Sequence, residues 1–317
     1  MYKQKIHHEK RITQMRRERD YKYFGYDEKT NSKGNLIGFA ENKVYDLDNG
    51  TLRETRDDDY VTFSTNYAFP SFNQEVHDEL FAYLESTGAN VEEILEMLTH
   101  CLHGDKFENG NKPLVWVLLG KYQSGRTTFL HLVKRLFGDY NENNMIHMRE
   151  LASNKRVKTI AWLRGARVCV PISNYVFYYT DPKKRKKVLD KLGSEFCSSK
   201  DQGHPVRFLC EQPFTLIPQF DIIIDCDEPL ERLSPASRKA HQDQFDFDHV
   251  RVVRFPYHFY TDTGCARNPL IDTKMVKEKK YQLKFQMRGD AWGLELAKQL
   301  LLVLLERHAM RVPLGDL

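Results

Sequence analysis

The chain has 317 residues, 41% hydrophobic and 29% charged, which is enough for a sizeable core and for more than one domain, and excludes a disordered or fibrous polypeptide. A formal net charge of +4 permits a nucleic-acid partner without requiring one. Six cysteines scattered singly, with no C-x-x-C pair or zinc-type histidine spacing, argue against a disulfide framework or a zinc ribbon. The N-terminus is too charged for a signal peptide, and the longest aliphatic run, Leu300–Leu305, is too short to span a bilayer. The expectation is an intracellular protein with no membrane partner.

Residues 1–27 are rich in lysine, arginine, histidine and tyrosine, with Arg16, Arg17 and Arg19 close together. They read as a basic arm, either solvated or touching nucleic acid. Residues 28–70 alternate short β-type runs at Leu36–Ala40, Lys43–Leu47 and Tyr60–Thr65 with turn clusters, which predicts a small antiparallel sheet. Asp57, Asp58 and Asp59 in one of those turns are expected to be solvated. Residues 71–112 predict a pair of helices. Val76, Leu80, Tyr83 and Leu84 form the stripe of the first, and a capping box of Asn90 with Glu93 opens the second. His100 and His103 fall at its C-terminal end, where a histidine suits the helix dipole.

Residues 113–262 hold the stretch around which the chain is organised, LVWVLLGKYQSGRTTFLHLVKRLFGDY (Leu114–Tyr140). Leu114–Leu119 reads as a strand buried on both faces, followed by a glycine loop, and Leu130, Val133, Leu136 and Phe137 before Gly138 give a helix with a C-terminal glycine. Gly120, Gly125, Arg126 and Thr127 approach the pattern G-x-x-x-x-G-K-[ST], in which backbone N–H groups converge on phosphate and the hydroxyl reaches magnesium. Gly120, Lys121, Ser124, Gly125, Arg126, Thr127 and Thr128 are therefore the candidate ATP-binding residues, with Thr127 the candidate magnesium ligand. Arg126 replaces the usual lysine, and a planar fork does not do the work of a compact ammonium. Lys121, five places earlier, stands where deviant loops carry a signature lysine. The alternative is a strand, turn and helix without a ligand.

Further on, Thr159–Leu163 predicts a helix stopped at Gly165, and Ala166–Ile172 a core strand. Lys183, Lys184, Arg185, Lys186 and Lys187 are the densest positive run, before a helical stripe of Val188, Leu189 and Leu192. That run is a solvated face, an import signal or a nucleic-acid contact. Phe220–Asp225 reads as a buried strand, Ser234–Ala240 as a short helix, and His249–Phe255 as a strand alternating valine with arginine. In residues 263–317, Leu294, Ala297, Leu300, Leu301, Leu304 and Leu305 give a helix with a broad apolar face that must be covered.

TTFLHLVKRLFGDY (Thr127–Tyr140) resembles the helix after the P-loop in superfamily 3 helicases, especially the viral primase-helicase type of large DNA viruses and phages. The resemblance extends upstream over Ile37–Pro70. Downstream it covers Arg164–Asn174, Phe214–Pro229 and His249–Phe259, which fall in the order of that family's second acidic motif, sensor motif and arginine-finger strand. It implies an α/β fold, an AAA+-like P-loop core with a parallel central sheet, a small N-terminal β-rich segment and a helical C-terminal lid. It implies ATP and magnesium as cofactors, single-stranded DNA as partner, and either a homo-oligomeric ring or a hetero-assembly with an active helicase. A viral relative would work in host cytoplasm, viral factory or nucleus, and no primase chemistry is expected of this chain. The family's DNA-contacting hairpin would fall near Ser198–Phe214, bringing Lys200 and Arg207 into the nucleic-acid set beside Lys183–Lys187, with His204 a further phosphate contact and Phe208 either stacked on a base or, the reading preferred, packed in the core.

The chain departs from the family at four catalytic positions. Arg126 replaces the phosphate lysine, and Ile172–Asn174 carry no carboxylate where the metal-holding acids belong. Asp227 takes the sensor position, and Asp248 and His249 fall where the paired finger arginines begin. Phosphoryl transfer depends on positioning and on neutralising developing charge, so these changes predict lost or nearly lost hydrolysis. Three readings follow: a non-hydrolysing helicase-like subunit or scaffold; an active helicase in which Asp225 or Asp227 replaces the acidic motif and Arg251 the finger; or a regulator that binds nucleotide without turnover.

Overall fold

The computed structural model describes residues 33–107, 111–121, 123–142, 146–151, 160–171, 182–198, 203–207, 213–227, 245–260, 276–278 and 280–311. The basic arm, Ile172–Asn174, Lys200, Phe208 and the helix expected at Ser234–Ala240 lie outside them.

Strands β1 (Leu36–Phe39), β2 (Lys43–Asp46) and β3 (Thr51–Glu54) form an antiparallel sheet in that order. The third strand is not the expected Tyr60–Thr65. A 3-10 turn at Asp57–Asp59 ends in left-handed Tyr60, φ 54°, and the chain then runs irregularly beside β1, with the Thr65 N–H donating to the Gly38 carbonyl at 3.0 Å. Asp59 is not solvated either. The Arg53 guanidinium grips it bidentately at 2.6 and 2.8 Å and, against the cost of burial, holds its carboxyl down to about 2.

The helical pair is present as α1 (Gln74–Ser86) and α2 (Val91–Leu102). Asn73 caps the first through the Val76 N–H, and Asn90 caps the second through the Glu92 N–H at 3.0 Å. Asn90 and Glu93 meet through their side chains at 3.5 Å, so the expected capping box is partly replaced by a simple cap.

Strand β4 (Val115–Gly120) is buried throughout, and α3 (Arg126–Phe137) follows the glycine loop. Gly138 ends α3 at φ 53°, and a Cβ there would lie 2.4 Å from the Thr65 carbonyl oxygen, so both backbone and space require glycine. Then come β5 (Asn141–Glu142), a 3-10 turn at Ile160–Leu163 in place of the expected helix, β6 (Val168–Cys169), and α4 (Pro182–Leu192) running into a π turn at Gly193–Cys197. Strands β7 (His204–Val206) and β8 (Phe214–Leu216) make an antiparallel hairpin. They are followed by β9 (Asp221–Asp227), β10 (Val250–Phe255), the short parallel pair β11 (His258–Tyr260) and β12 (Val276–Glu278), and α5 (Lys280–Arg311).

Five of these strands form one parallel sheet in the order β10-β4-β9-β6-β5. Alternation along β4 gives the sheet two apolar faces: Trp116 and Leu118 pack with α1, α2, α3 and α5, while Val115, Val117 and Leu119 pack with α4, its π turn and the β7–β8 hairpin. The apolar face of α5 is covered within the chain. Leu296, Leu300 and Leu304 are fully buried, Trp292 Nε1 donates to Glu79 at 2.7 Å, and Gln299 bonds Asn73 and Ser71. That side of the helix therefore needs no neighbouring subunit. Among the described residues no helix is long and apolar enough to cross a membrane.

Where β9 begins, fully buried Asp221 receives Lys106 Nζ and His100 Nδ1 at 2.7 Å each and the Leu114 N–H at 2.8 Å. His100 thus ties α2 to the foot of the sheet rather than merely facing a helix end. Burial works against ionisation of Asp221, but Lys106 and His100 outweigh it and hold the carboxyl far below the usual range. A carboxyl depressed in the folded state contributes stability that is present above its unfolded pKa and is lost as pH falls through the folded one. Asp221→Asn is expected to lower stability at neutral pH by about 3 kcal/mol, as for removal of one partner from a buried pair, and to flatten the loss of stability below about pH 4. Urea unfolding of both proteins across that range checks both effects.

Candidate functional site

The carboxyl ends of the central strands meet the glycine loop. In register, Gly120 lies beside Phe255 on one side and Asp227 on the other, and Leu118 beside Asp225. Gly120 is boxed in: a Cβ would sit 2.6 Å from the Phe255 carbonyl oxygen and 2.7 Å from Ser124 Oγ. Gln123 at φ 60° and Gly125 at φ 89° take left-handed conformations, which turns the loop into the N-terminus of α3.

Arg126, the first residue of α3, dominates this site. Its side chain is only 6% exposed and points inward. Nε donates to Ser124 Oγ at 2.9 Å, and Nη1 donates to the Leu118 carbonyl at 3.3 Å and to the Cys226 carbonyl. Nη2 donates to the Lys121 carbonyl at 3.3 Å and to Asp227 Oδ1. Asp225 Oδ1 stands 2.7 Å from Nη1 as an ion pair without the alignment of a hydrogen bond. A guanidinium has five N–H donors in one plane, and here protein acceptors surround all of that plane.

The other expected loop residues divide into buried and exposed. Ser124 and Thr128 are buried, Lys121 is half-buried with its carbonyl engaged by Arg126 and by the Ser124 N–H, and Thr127 is exposed on the first turn of α3. Asp227, weighed as a catalytic or metal-holding group, is paired with Arg126. No group of three or more histidine, cysteine, aspartate or glutamate side chains suited to a metal occurs among the described residues. Two carboxylates and three carbonyls hold Arg126 inside.

Arg251 is not brought to the loop. It pairs in register with Trp116, four residues before Gly120, which is about 13 Å along a strand, and its Nη1 donates to the Asp248 and Val250 carbonyls. His249, at the expected finger position, bonds the Leu189 carbonyl through Nε2 at 3.0 Å and so fastens α4 to β10.

The basic run also divides. Lys183, Lys184, Lys186 and Lys187 are exposed on α4, and Arg207 is exposed at the end of β7. Arg185, grouped with them by sequence, is 4% exposed on the opposite side of α4, because a helix turns its third residue of such a run toward the sheet. Its charge reaches Cys226: burial pushes that thiol up to about 12 against the pull of Arg185 and Arg126. Arg185 is thus not on the surface that the four lysines share.

Sequence reasoning missed the Arg126 clamp. Asp225 and Asp227, two apart on a strand, share one face, and that alternation was readable; that β9 lies beside β4 was not.

No family model matches the chain. It is 26% identical over 205 residues to Putative helicase L207/L206 of Acanthamoeba polyphaga mimivirus, covering 61% of this chain and 19% of that protein. The relationship is helicase-like. The chain spans about a fifth of that relative's length. Among solved structures, the apo C-terminal region of NrS-1 has a TM-score of 0.42 at 13% identity, over 83% of this chain and 54% of that one. A JCV helicase bound to a thiazolopyridine compound has a TM-score of 0.34 at 14% identity, over 75% and 67%.

Removing Arg126 takes its guanidinium away from Asp225 and Asp227 at the edge of the core. Arg126→Ala is expected to cost about 3–5 kcal/mol, the range for a broken buried pair, whereas Thr127→Ala on the exposed turn should stay within about 0.5 kcal/mol. Chemical denaturation of the two variants measures the contrast.

Proposed function

We propose that this chain is a helicase-like protein of DNA replication that does not turn over nucleotide and acts as a nucleic-acid- or helicase-binding subunit. The observation that carries the reading is the engagement of Arg126 by Asp225, Asp227 and the Leu118, Lys121 and Cys226 carbonyls, which leaves the loop's cation with no role toward a γ phosphate. Catalysis of phosphoryl transfer needs a cation, a metal-holding acid and a finger converging on the transferred group. Here the cation is turned away, and the sequence has no carboxylate at Ile172–Asn174.

Nucleic acid is the partner favoured by the exposed lysines of α4, with Arg207 on the β7–β8 hairpin contributing a further charge. Such a contact works by releasing counterions from the phosphate backbone and is sequence-tolerant. Assembly with an active helicase, or into a ring, is the alternative use of the same scaffold.

Purified protein is expected to show no ATP turnover with magnesium, with or without single-stranded DNA. Retention on single-stranded DNA should fall with salt, and replacing Lys183, Lys184, Lys186 and Lys187 by alanine should reduce the log–log slope by up to about 0.7 per lost phosphate contact. Turnover that Asp227→Asn abolishes would establish the active-helicase reading instead, and an unchanged slope would remove the α4 lysines from the interface.

A further inference from the structure

We propose that Arg126 is a resident occupant of the glycine loop: its guanidinium takes the place of a ligand, and a nucleoside triphosphate is excluded by this clamp rather than by any loss of the loop itself. The proposal deepens the non-hydrolysing reading given above and rests on it.

The loop keeps the backbone shape that a phosphate cradle needs. Gly120 admits no side chain, Gly125 and Gln123 hold left-handed turns, and exposed Thr127 stands on the first turn of a twelve-residue helix whose N-terminal dipole favours anions. What departs is the side chain that should reach outward. Arg126 lies against the carboxyl end of β9, with Asp225 and Asp227 as counter-charges. For Arg126 to meet a phosphate it must leave both carboxylates, whose side chains are only 8% and 23% exposed, so little solvent is available to compensate them. An incoming polyphosphate would then face two carboxylates from which this guanidinium has been withdrawn. The open loop is therefore a minor state, and apparent affinity falls by the fraction of molecules that occupy it.

Lysine at this position would behave differently. One ammonium with three donors cannot serve Ser124, three carbonyls and two carboxylates at once, and its flexible stem can turn outward at smaller cost. Asp227→Asn loosens the same clamp from the other side while leaving Arg126 in place. The two substitutions reach the loop by different routes, so agreement between them does not depend on the new lysine alone.

The test is a titration of the wild-type chain, Arg126→Lys and Asp227→Asn with a fluorescent ATP analogue and magnesium, read by polarisation, alongside thermal unfolding and ATP turnover. Wild type is expected to bind weakly, with an apparent Kd of about 1 mM. Arg126→Lys should bind roughly 100-fold more tightly than wild type, and Asp227→Asn should show a smaller gain. Wild-type binding as tight as that of Arg126→Lys would overturn the proposal, as would the absence of a gain in variants that still melt cooperatively. If Arg126→Lys does not fold, the Asp227→Asn titration decides alone. Turnover by wild type would defeat the non-hydrolysing reading, whereas folded variants that gain no binding defeat the resident-arginine proposal and leave that reading standing.

Discussion

A single guanidinium joins the first turn of α3 to the carboxyl end of β9. Arg126 is held by Asp225 and Asp227 on one side and by the carbonyls and hydroxyl of its own loop on the other. Buried ion pairs seldom add much net stability, because desolvation consumes the Coulombic gain, but removing one member is costly. The arrangement therefore acts more as a constraint than as a source of stability: it ties the loop to both strands through one side chain. Arginine suits this use because its planar fork satisfies carboxylates and carbonyls together, which an ammonium cannot do.

The constraint works because of the sheet around it. With β4 between β10 and β9, the loop end of β4 lies level with Phe255 and Asp227, so anything attached to those positions meets the loop directly. At the opposite end, Asp221 gathers Lys106 and His100 and fixes α2 to the foot of the same strand. Strand β9 is thus anchored by charge at both ends and by Ile222, Ile223 and Ile224 between. The α5 helix covers one side of this assembly within the chain, and α4 covers the other while turning four lysines outward.

Much of the architecture was readable from hydrophobic pattern. The β4 run, the Gly138 stop, the helical pair and the apolar face of α5 all follow from periodicity and caps. The errors share one cause, which is that tertiary partners are invisible in a linear reading. Tyr60–Thr65 has strand propensity, but left-handed Tyr60 and the β1 edge decide its path. Asp59 looks solvated until Arg53 is folded over it, and Arg185 looks like one of five surface charges until the helix is docked. For the loop, the missing lysine was legible. The inward turn of its replacement depends on strand order, and no local motif encodes that.

The central claim is that Arg126 and the β9 carboxylates act as one unit, and a double-mutant cycle on Arg126→Ala and Asp227→Ala measures it most directly. Two residues in contact within a buried network are expected to show a coupling free energy of about 1–3 kcal/mol in denaturant unfolding. A coupling near zero, with the two single losses simply adding, would show that the guanidinium and the carboxylate do not meet in solution and would contradict the account.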